Sequence, residues 1–163
     1  MKLLRSELKS EFNKKLFEMS ARELPDRGTI FYDDHITCEL SAKIVQFGFQ
    51  LSGVIKATTK YECVRCLCNN LKDVTLPIKL WLSSKEILTG NDDQDMVHFP
   101  KNINQIDMDD AISDIIRLAE PINPNCNDNC KGLCPNCGIN LNQSSCDCKL
   151  DSHDSPWDVL NNF

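Results

Sequence analysis

The sequence has no long apolar run. No window approaches the roughly eighteen consecutive apolar residues that a membrane-spanning helix needs, so no membrane association is expected. The apolar residues after Met1 are interrupted at once by Arg5, Glu7 and Lys9, so no secretory signal is expected either. This opening segment is also poor in serine and contains acids, which argues against an attached transit peptide. Glycine is scarce, six residues in 163, and none builds a phosphate-cradling loop or a nucleophile elbow. The three histidines, His35, His98 and His153, stand outside any ligand spacing and read as surface residues. No H-x-E precedes a C-x-x-C, which removes the zinc deaminase signature. With these classes gone, neither enzymatic activity nor a small-molecule substrate is expected.

What the chain does have is cysteine, ten residues of it. Without a secretion signal, metal binding ranks above disulfides as the reason for so many thiols. Eight of them fall into four pairs: Cys63 with Cys66, Cys126 with Cys130, Cys134 with Cys137, and Cys146 with Cys148. A C-x-x-C turn followed by glycine aims backbone amides at its sulfurs, lowers the thiol pKa and needs positive φ at its end; Cys134-Pro-Asn-Cys137-Gly138 meets that pattern. Eight paired thiols predict two closed tetrahedral sites and therefore two zinc ions, with no open position for catalysis. The short loop between Cys137 and Cys146 favours one site from Cys134, Cys137, Cys146 and Cys148, leaving Cys63, Cys66, Cys126 and Cys130 for the other. The alternative crosses Cys63 and Cys66 with the Cys134 knuckle. Cys68 is a spare that could displace a neighbour, and Cys38 reads as a buried structural thiol. A four-thiolate iron carrier of rubredoxin type is the weaker reading, because Leu67 stands where the first knuckle would carry glycine.

The formal charge of −6 conceals an asymmetry. Residues 1–22 carry +3 and residues 40–85 carry +5, whereas residues 86–120 carry −7 and residues 121–163 carry −3. Two zinc–tetrathiolate sites would make the whole more acidic still, so indiscriminate polyanion binding is excluded. Any nucleic-acid contact must use the front half. Lys43, Lys56, Lys60, Arg65, Lys72 and Lys79, in or beside predicted strands, are the candidate RNA-binding residues.

Leu4, Leu8, Phe12 and Leu16 recur every four residues and predict an N-terminal amphipathic helix. From Ile36 the period changes to two. Ile36, Cys38, Leu40, Ala42 and Ile44 form one run, Phe47, Phe49 and Leu51 a second, and Val74, Leu76, Ile78, Leu80 and Leu82 a third. These predict an antiparallel meander with one buried face, Gly53 marking a bulge or bend and Pro77 an edge or interruption. Residues 89–105 are polar and without period, and predict a mobile acidic loop. Asp107 then caps a helix carrying Ile112, Ile115, Ile116 and Ala119, ended by Pro121 and Pro124. The tail beyond has too few apolar residues for a core, so its order must come from metal. The expected fold class is α+β: an antiparallel β-rich domain with flanking helices over residues 1–124, which contains the knuckle at 63–66 and the helix near 107–119, then a cysteine-rich zinc-binding tail over 125–163.

Cys63-Val-Arg-Cys66-Leu67, the helix ending near Pro121, and the string Cys126-x3-Cys130-Lys131-Gly132-Leu133-Cys134-Pro135-Asn136-Cys137-Gly138-x-Asn140-Leu141-Asn142, closed by Cys146-x-Cys148, together resemble the YceD family of large-subunit ribosomal RNA accumulation proteins. The ending Asp154-Ser-Pro156-Trp157-x-Val159-Leu160 resembles the family's terminal D-P-x-x-x-L segment, with Ser155 inserted. The resemblance implies a non-enzymatic factor of the bacterial cytoplasm or the plastid stroma that supports large-subunit rRNA accumulation and ribosome assembly. Its partner would be large-subunit rRNA or a ribosomal protein, a small zinc-ribbon ribosomal protein among them. Two other classes compete: a zinc-stabilised protein–protein adaptor with no RNA contact, and a thiol redox sensor.

Overall fold

The computed structural model describes residues 1–84 and 95–148. Residues 89–94 of the expected acidic loop, along with His153 and the terminal Asp154–Leu160 segment, lie outside the described residues. The chain divides into two compact units, Met1–Tyr61 with Asn70–Ile122, and Glu62–Asn69 with the chain from Asn123 onward. The knuckle at 63–66, placed with the sheet domain by sequence, therefore groups with the tail.

The first unit is built on a mixed sheet. Its long members are β4 (His35–Val45), β5 (Gly48–Glu62) and β6 (Asn69–Ser83), the meander that the alternation predicts. Along β4, Ile36, Cys38, Leu40 and Ala42 are buried while their neighbours are not, because successive side chains leave a strand on opposite faces. β5 contributes Phe49, Leu51, Ile55 and Ala57 to the same side, and β6 contributes Ile78, Leu80 and Leu82. The strand order is β2 (Phe12–Ser20), β4, β5, β6, β7 (Asp95–His98), with the short β3 (Ile30–Phe31) pairing with β5. β7 (Asp95–His98) pairs in parallel with Leu80–Ser83, so part of the expected loop is a strand and the sheet is not wholly antiparallel. Pro77 lies inside β6, outside the stretch Leu80–Ser83 that pairs with β7.

Gly53 does not mark a bulge. The β4–β5 register runs unbroken from Thr37↔Lys56 to Val45↔Gly48, with Leu40 opposite Gly53. Glycine is required there by proximity: a Cβ would lie 2.0 Å from the Glu39 carbonyl oxygen and 2.9 Å from the Leu40 Cα, backbone that cannot yield cheaply.

The predicted N-terminal helix is largely absent. After β1 (Lys2–Leu4), only Arg5–Lys9 (α1) is helical, and Phe12–Ser20 forms the edge strand β2. The four-residue spacing is a coincidence of two devices. Leu8 is buried by α1, whereas Leu4 and Leu16 stay exposed at 45% and 59%. In β2 the register slips between Phe12↔Ala42 and Lys15↔Leu40, a bulge in which Lys14 takes φ 50 and donates its amide to the Ser41 hydroxyl at 3.0 Å. Five residues apart on a regular strand, Phe12 and Phe17 would face opposite sides; the extra residue brings them to one side, their rings 5.9 Å apart with the Lys15 ammonium 4.9 Å from the Phe17 centroid. Pairing with β4, which sets Phe17 opposite Cys38 and Met19 opposite Ile36, outweighs the local helical period.

The core side of the sheet is covered by β1, its partner β8 (Gln105–Asp107) and α2 (Asp109–Leu118). Leu3, Ile106, Met108, Ile112 and Ile116 join the sheet's apolar residues in one cluster. The N-cap is Met108, which has no capping side chain, and not Asp107 as expected; Asp107 stands one residue earlier, its carboxylate accepting the Asp109 amide at 3.0 Å. Two further ties fix α2. The buried Ser113 donates its hydroxyl to the Pro25 carbonyl at 2.9 Å, and Arg27 bridges Asp114 at 2.7 Å and Asp110 at 2.9 Å. Cys38 is fully buried; desolvation pushes its thiol up to about 11, so it remains neutral at physiological pH.

Candidate metal centres

The second unit begins with two turns of the same construction. In Cys63-Val-Arg-Cys66-Leu67 the Leu67 amide reaches back to the Cys63 carbonyl at 2.9 Å, and in Cys134-Pro-Asn-Cys137-Gly138 the Gly138 amide reaches the Cys134 carbonyl at 2.9 Å. Each first cysteine then donates its own amide just beyond the turn, Cys63 to the Cys68 carbonyl at 2.9 Å and Cys134 to the Ile139 carbonyl at 2.8 Å. The closing residues share the left-handed conformation, φ 56 at Leu67 and φ 73 at Gly138. Leu67 thus adopts a conformation usually reserved for glycine.

The tail is stitched to the first knuckle along the backbone. The Val64 amide donates to the Pro124 carbonyl at 2.9 Å and the Leu133 amide to the Arg65 carbonyl at 3.0 Å. Gly132 passes so close to Arg65 that a Cβ would sit 3.0 Å from the Arg65 carbonyl oxygen. Leu133 also bridges Asn140, and the Leu141 amide reaches the Gly132 carbonyl at 2.9 Å.

These ties gather nine of the ten cysteines into two clusters, and none of the ten is in a disulfide. Cys134, Cys137, Cys146 and Cys148 bring their sulfurs within 4.8 Å of one another, and so do Cys63, Cys66, Cys68 and Cys126. Cys130 adjoins the second group, its sulfur 3.8 Å from that of Cys63. The sequence expectation placed Cys130 in that set and left Cys68 spare; five sulfurs in fact stand there.

Distances discriminate among them. Four sulfurs about 2.3 Å from a tetrahedral ion lie about 3.8 Å apart. Cys63 to Cys130 at 3.8 Å and Cys66 to Cys126 at 3.6 Å fit that edge. Cys66 to Cys68 at 3.1 Å would compress the angle at the ion to about 85°. By these edges Cys130 is a candidate ligand beside Cys68, although the four sulfurs that lie within 4.8 Å of one another are those of Cys63, Cys66, Cys68 and Cys126. Side-chain amides reach two of these sulfurs: Asn142 donates to the Cys130 sulfur at 3.3 Å and Asn127 to the Cys126 sulfur at 3.5 Å.

The electrostatics are those of thiols held close together. Burial pushes Cys63 up, but the amides of Cys66, Arg65 and Cys126 outweigh it and hold this thiol at about 6. The amides of Cys137 and Asn136 bring Cys134 to about 6, against a smaller effect of burial. Their neighbours move the other way. The Cys68 thiol raises Cys66, Cys130 pushes Cys126 up to about 11, and Cys137 pushes Cys148 up to about 12. Like charges cannot crowd one site, so an ionised sulfur keeps protons on those beside it until a cation replaces them. The donor set is all sulfur, which suits zinc or iron and not magnesium or calcium.

The candidate RNA-binding residues are distributed differently. Lys43, Lys56, Lys60 and Lys79 are exposed and alternate with core residues, so they stand on the side of the sheet away from the core. Lys72 is exposed too, but it alternates with Leu71 and Asp73 and shares the core-facing side of β6 with Val74 and Leu76, where the strand outruns the core. Arg65 is exposed within the first knuckle and belongs to the other unit.

Fold and site together define a mixed β-sheet protein bearing two cysteine clusters able to hold metal ions. The chain belongs to the YceD family: the family described as large ribosomal RNA subunit accumulation protein YceD matches residues 51–163. It is 38% identical over 70 residues to large ribosomal RNA subunit accumulation protein YCED homolog 1, chloroplastic, of Arabidopsis thaliana, covering 43% of this chain and 22% of that protein. The maize protein of the same description is 50% identical over 56 residues, covering 34% and 19%. An uncharacterized protein of Mycobacterium tuberculosis is 28% identical over 103 residues, covering 63% and 50%. The aligned part thus spans about a fifth of each plastid relative. No solved structure matches the chain. Among the described residues no helix is long and apolar enough to cross a membrane.

Proposed function

We propose that this protein is a non-enzymatic, zinc-stabilised factor that supports accumulation of large-subunit rRNA by contacting that RNA during ribosome assembly. The printed names of the plastid relatives supply the process. The observation that carries the RNA contact is the side of the sheet away from the core, where Lys43, Lys56, Lys60 and Lys79 are exposed in a chain of net charge −6. Exposed lysines on a sheet suit phosphate contacts, which position a protein on RNA without reading sequence. Zinc is favoured because four thiolates in tetrahedral array leave no open position, which suits a structural role and not catalysis. Free thiols in such number fit a reducing compartment, bacterial cytoplasm or plastid stroma. A redox sensor would need its acidic thiols exposed, and Cys63 and Cys134 are 0% and 4% exposed.

The test is a double charge reversal, Lys60→Glu with Arg65→Glu, in protein that retains two zinc ions. Association with rRNA or pre-ribosomal particles should weaken at least tenfold at physiological salt, and binding by the unaltered chain should fall steeply as salt rises. Undiminished association would move the contact to a protein partner, a basic ribosomal protein held by the acidic half.

A further inference from the structure

The first cluster contains five sulfurs for a tetrahedral ion that takes four. What selects among them is not in the cluster itself. Cys63, Cys66 and Cys126 are common to both possible sets, and Cys68 and Cys130 compete for the remaining position. Cys68 is tethered to Cys66 by one intervening residue and touches its sulfur at 3.1 Å. Cys130 is held from elsewhere, by Asn142.

Asn142 lies between the two ligand pairs of the other cluster, after Cys137 and before Cys146. Its side chain is fully engaged. Oδ1 accepts the Lys131 amide at 2.8 Å, while Nδ2 donates to the Cys130 sulfur at 3.3 Å and to the Asn140 Oδ1 at 2.9 Å. The orientation of the amide follows from chemistry, because only an oxygen can receive the Lys131 N–H, and that leaves the NH2 facing sulfur. The same segment binds the connecting strand through the Leu141 amide to the Gly132 carbonyl at 2.9 Å. The segment from Gly138 to Gln143 has few apolar side chains to bury, so its geometry depends on Cys137 and Cys146 being drawn to one ion.

We propose that Asn142 is a positioning residue that couples the two clusters: loading of the Cys134–Cys137–Cys146–Cys148 site fixes Asn142, and Asn142 selects Cys130 over Cys68 as the fourth ligand of the other. This rests on reading both clusters as metal centres. With the second site filled, Cys130 completes the first and Cys68 stays outside the ligand set. With the second site empty, Asn142 is released and Cys68 takes the position at poorer geometry.

The test uses the full chain, reduced and stripped of metal, titrated with zinc against a competing chelator, and alkylated after loading for mass spectrometry. Asn142→Asp keeps the acceptor for Lys131 but loses both donations of Nδ2, to the Cys130 sulfur and to the Asn140 Oδ1; Asn140→Ala, which removes the turn acceptor and leaves the donor to sulfur, is the control and should leave both affinities unchanged. The coupling predicts that Asn142→Asp binds two zinc ions with one affinity lowered at least tenfold, a typical penalty for loss of a hydrogen bond to a ligand. In the loaded natural sequence, alkylation should fall on Cys68 and spare Cys130. In a Cys137→Ser, Cys148→Ser variant carrying one zinc ion, Cys130 should become labelled and Cys68 protected. Two zinc ions with unchanged affinities in Asn142→Asp, or Cys130 labelled ahead of Cys68 in the loaded natural sequence, would overturn the coupling alone. No metal bound by the natural sequence would overturn the metal-centre reading with it.

Discussion

Gly132 and Gly138 offer a controlled measurement of how the tail is held, because they share a conformation and differ in surroundings. Gly132 has φ 76 and Gly138 has φ 73, both in the left-handed region. Replacing either by alanine imposes the left-handed cost of about 1–2 kcal/mol. At Gly138 nothing lies within 4 Å of the added Cβ, so that cost is the whole effect. At Gly132 the Cβ meets the Arg65 carbonyl oxygen at 3.0 Å, the same oxygen that accepts the Leu133 amide. Relieving that contact strains or breaks the bond, a further loss of about 1 kcal/mol. Because metal binding is coupled to folding of the tail, these costs should appear in metal affinity. Gly138→Ala should weaken zinc binding about 5-fold to 30-fold, and Gly132→Ala about 30-fold to 150-fold, at 1.4 kcal/mol per factor of ten. Competition titration of each variant at one pH measures both. Equal losses at the two positions would refute the claim that the Arg65 carbonyl is a point of attachment, and a loss under threefold at both would refute the coupling of backbone to metal.

Chelation should raise amide exchange in Glu62–Asn69 and from Asn123 onward well before it affects β4, β5 and β6, which have their own apolar core; uniform loss of protection across both units would contradict this. Zinc affinity should rise with pH, and the sign follows from the thiols. Cys63 and Cys134 stand at about 6, below an ordinary thiol, so the stability given by their ionised forms is present above the ordinary value and is lost as pH falls through about 6. The slope of log affinity against pH should therefore steepen below about 6, where these two sulfurs must also shed protons, and a constant slope through that range would count against the assignment.

The meander was legible because its residues are buried by alternation, and alternation is visible without knowing what lies opposite. Ile36 to Ala42 and Ile78 to Leu82 each follow it without a break. The N-terminal segment was misread because its spacing of four has two causes, a one-turn helix that buries Leu8 and a bulge that turns Phe12 to the side of Phe17. A bulge is specified by the partner strand, here by the Ser41 hydroxyl that receives the Lys14 amide, and no local period reports it. The same holds for β7, whose four residues acquire their structure only from the parallel edge of β6. The cysteine pairs were legible as pairs, since a turn of fixed length sets their spacing. The fifth sulfur and Asn142 were not, because both depend on how the tail's backbone lies against Arg65 and on the register between Leu133 and Asn140.

Leu67 shows why a missing glycine is weak grounds for doubting a knuckle. The turn at Cys63 closes through the same amide-to-carbonyl bond as the turn at Cys134, and its last residue takes the same left-handed conformation, although leucine has a Cβ that opposes it. That opposition amounts to about 1–2 kcal/mol. Against it stand the amides of Cys66 and Arg65, which the turn aims at the Cys63 sulfur. Structural zinc adds an apparent binding free energy of about 10–16 kcal/mol that is realised only when the turn forms. The metal term exceeds the conformational one several-fold, so a closed thiolate site tolerates leucine where a metal-free turn would select glycine. Gly132 differs: its own amide serves the Cys130 sulfur, and the atom nearest an added Cβ is the Arg65 backbone oxygen. There a side chain is crowded by backbone as well as opposed by φ, so glycine is favoured on both counts.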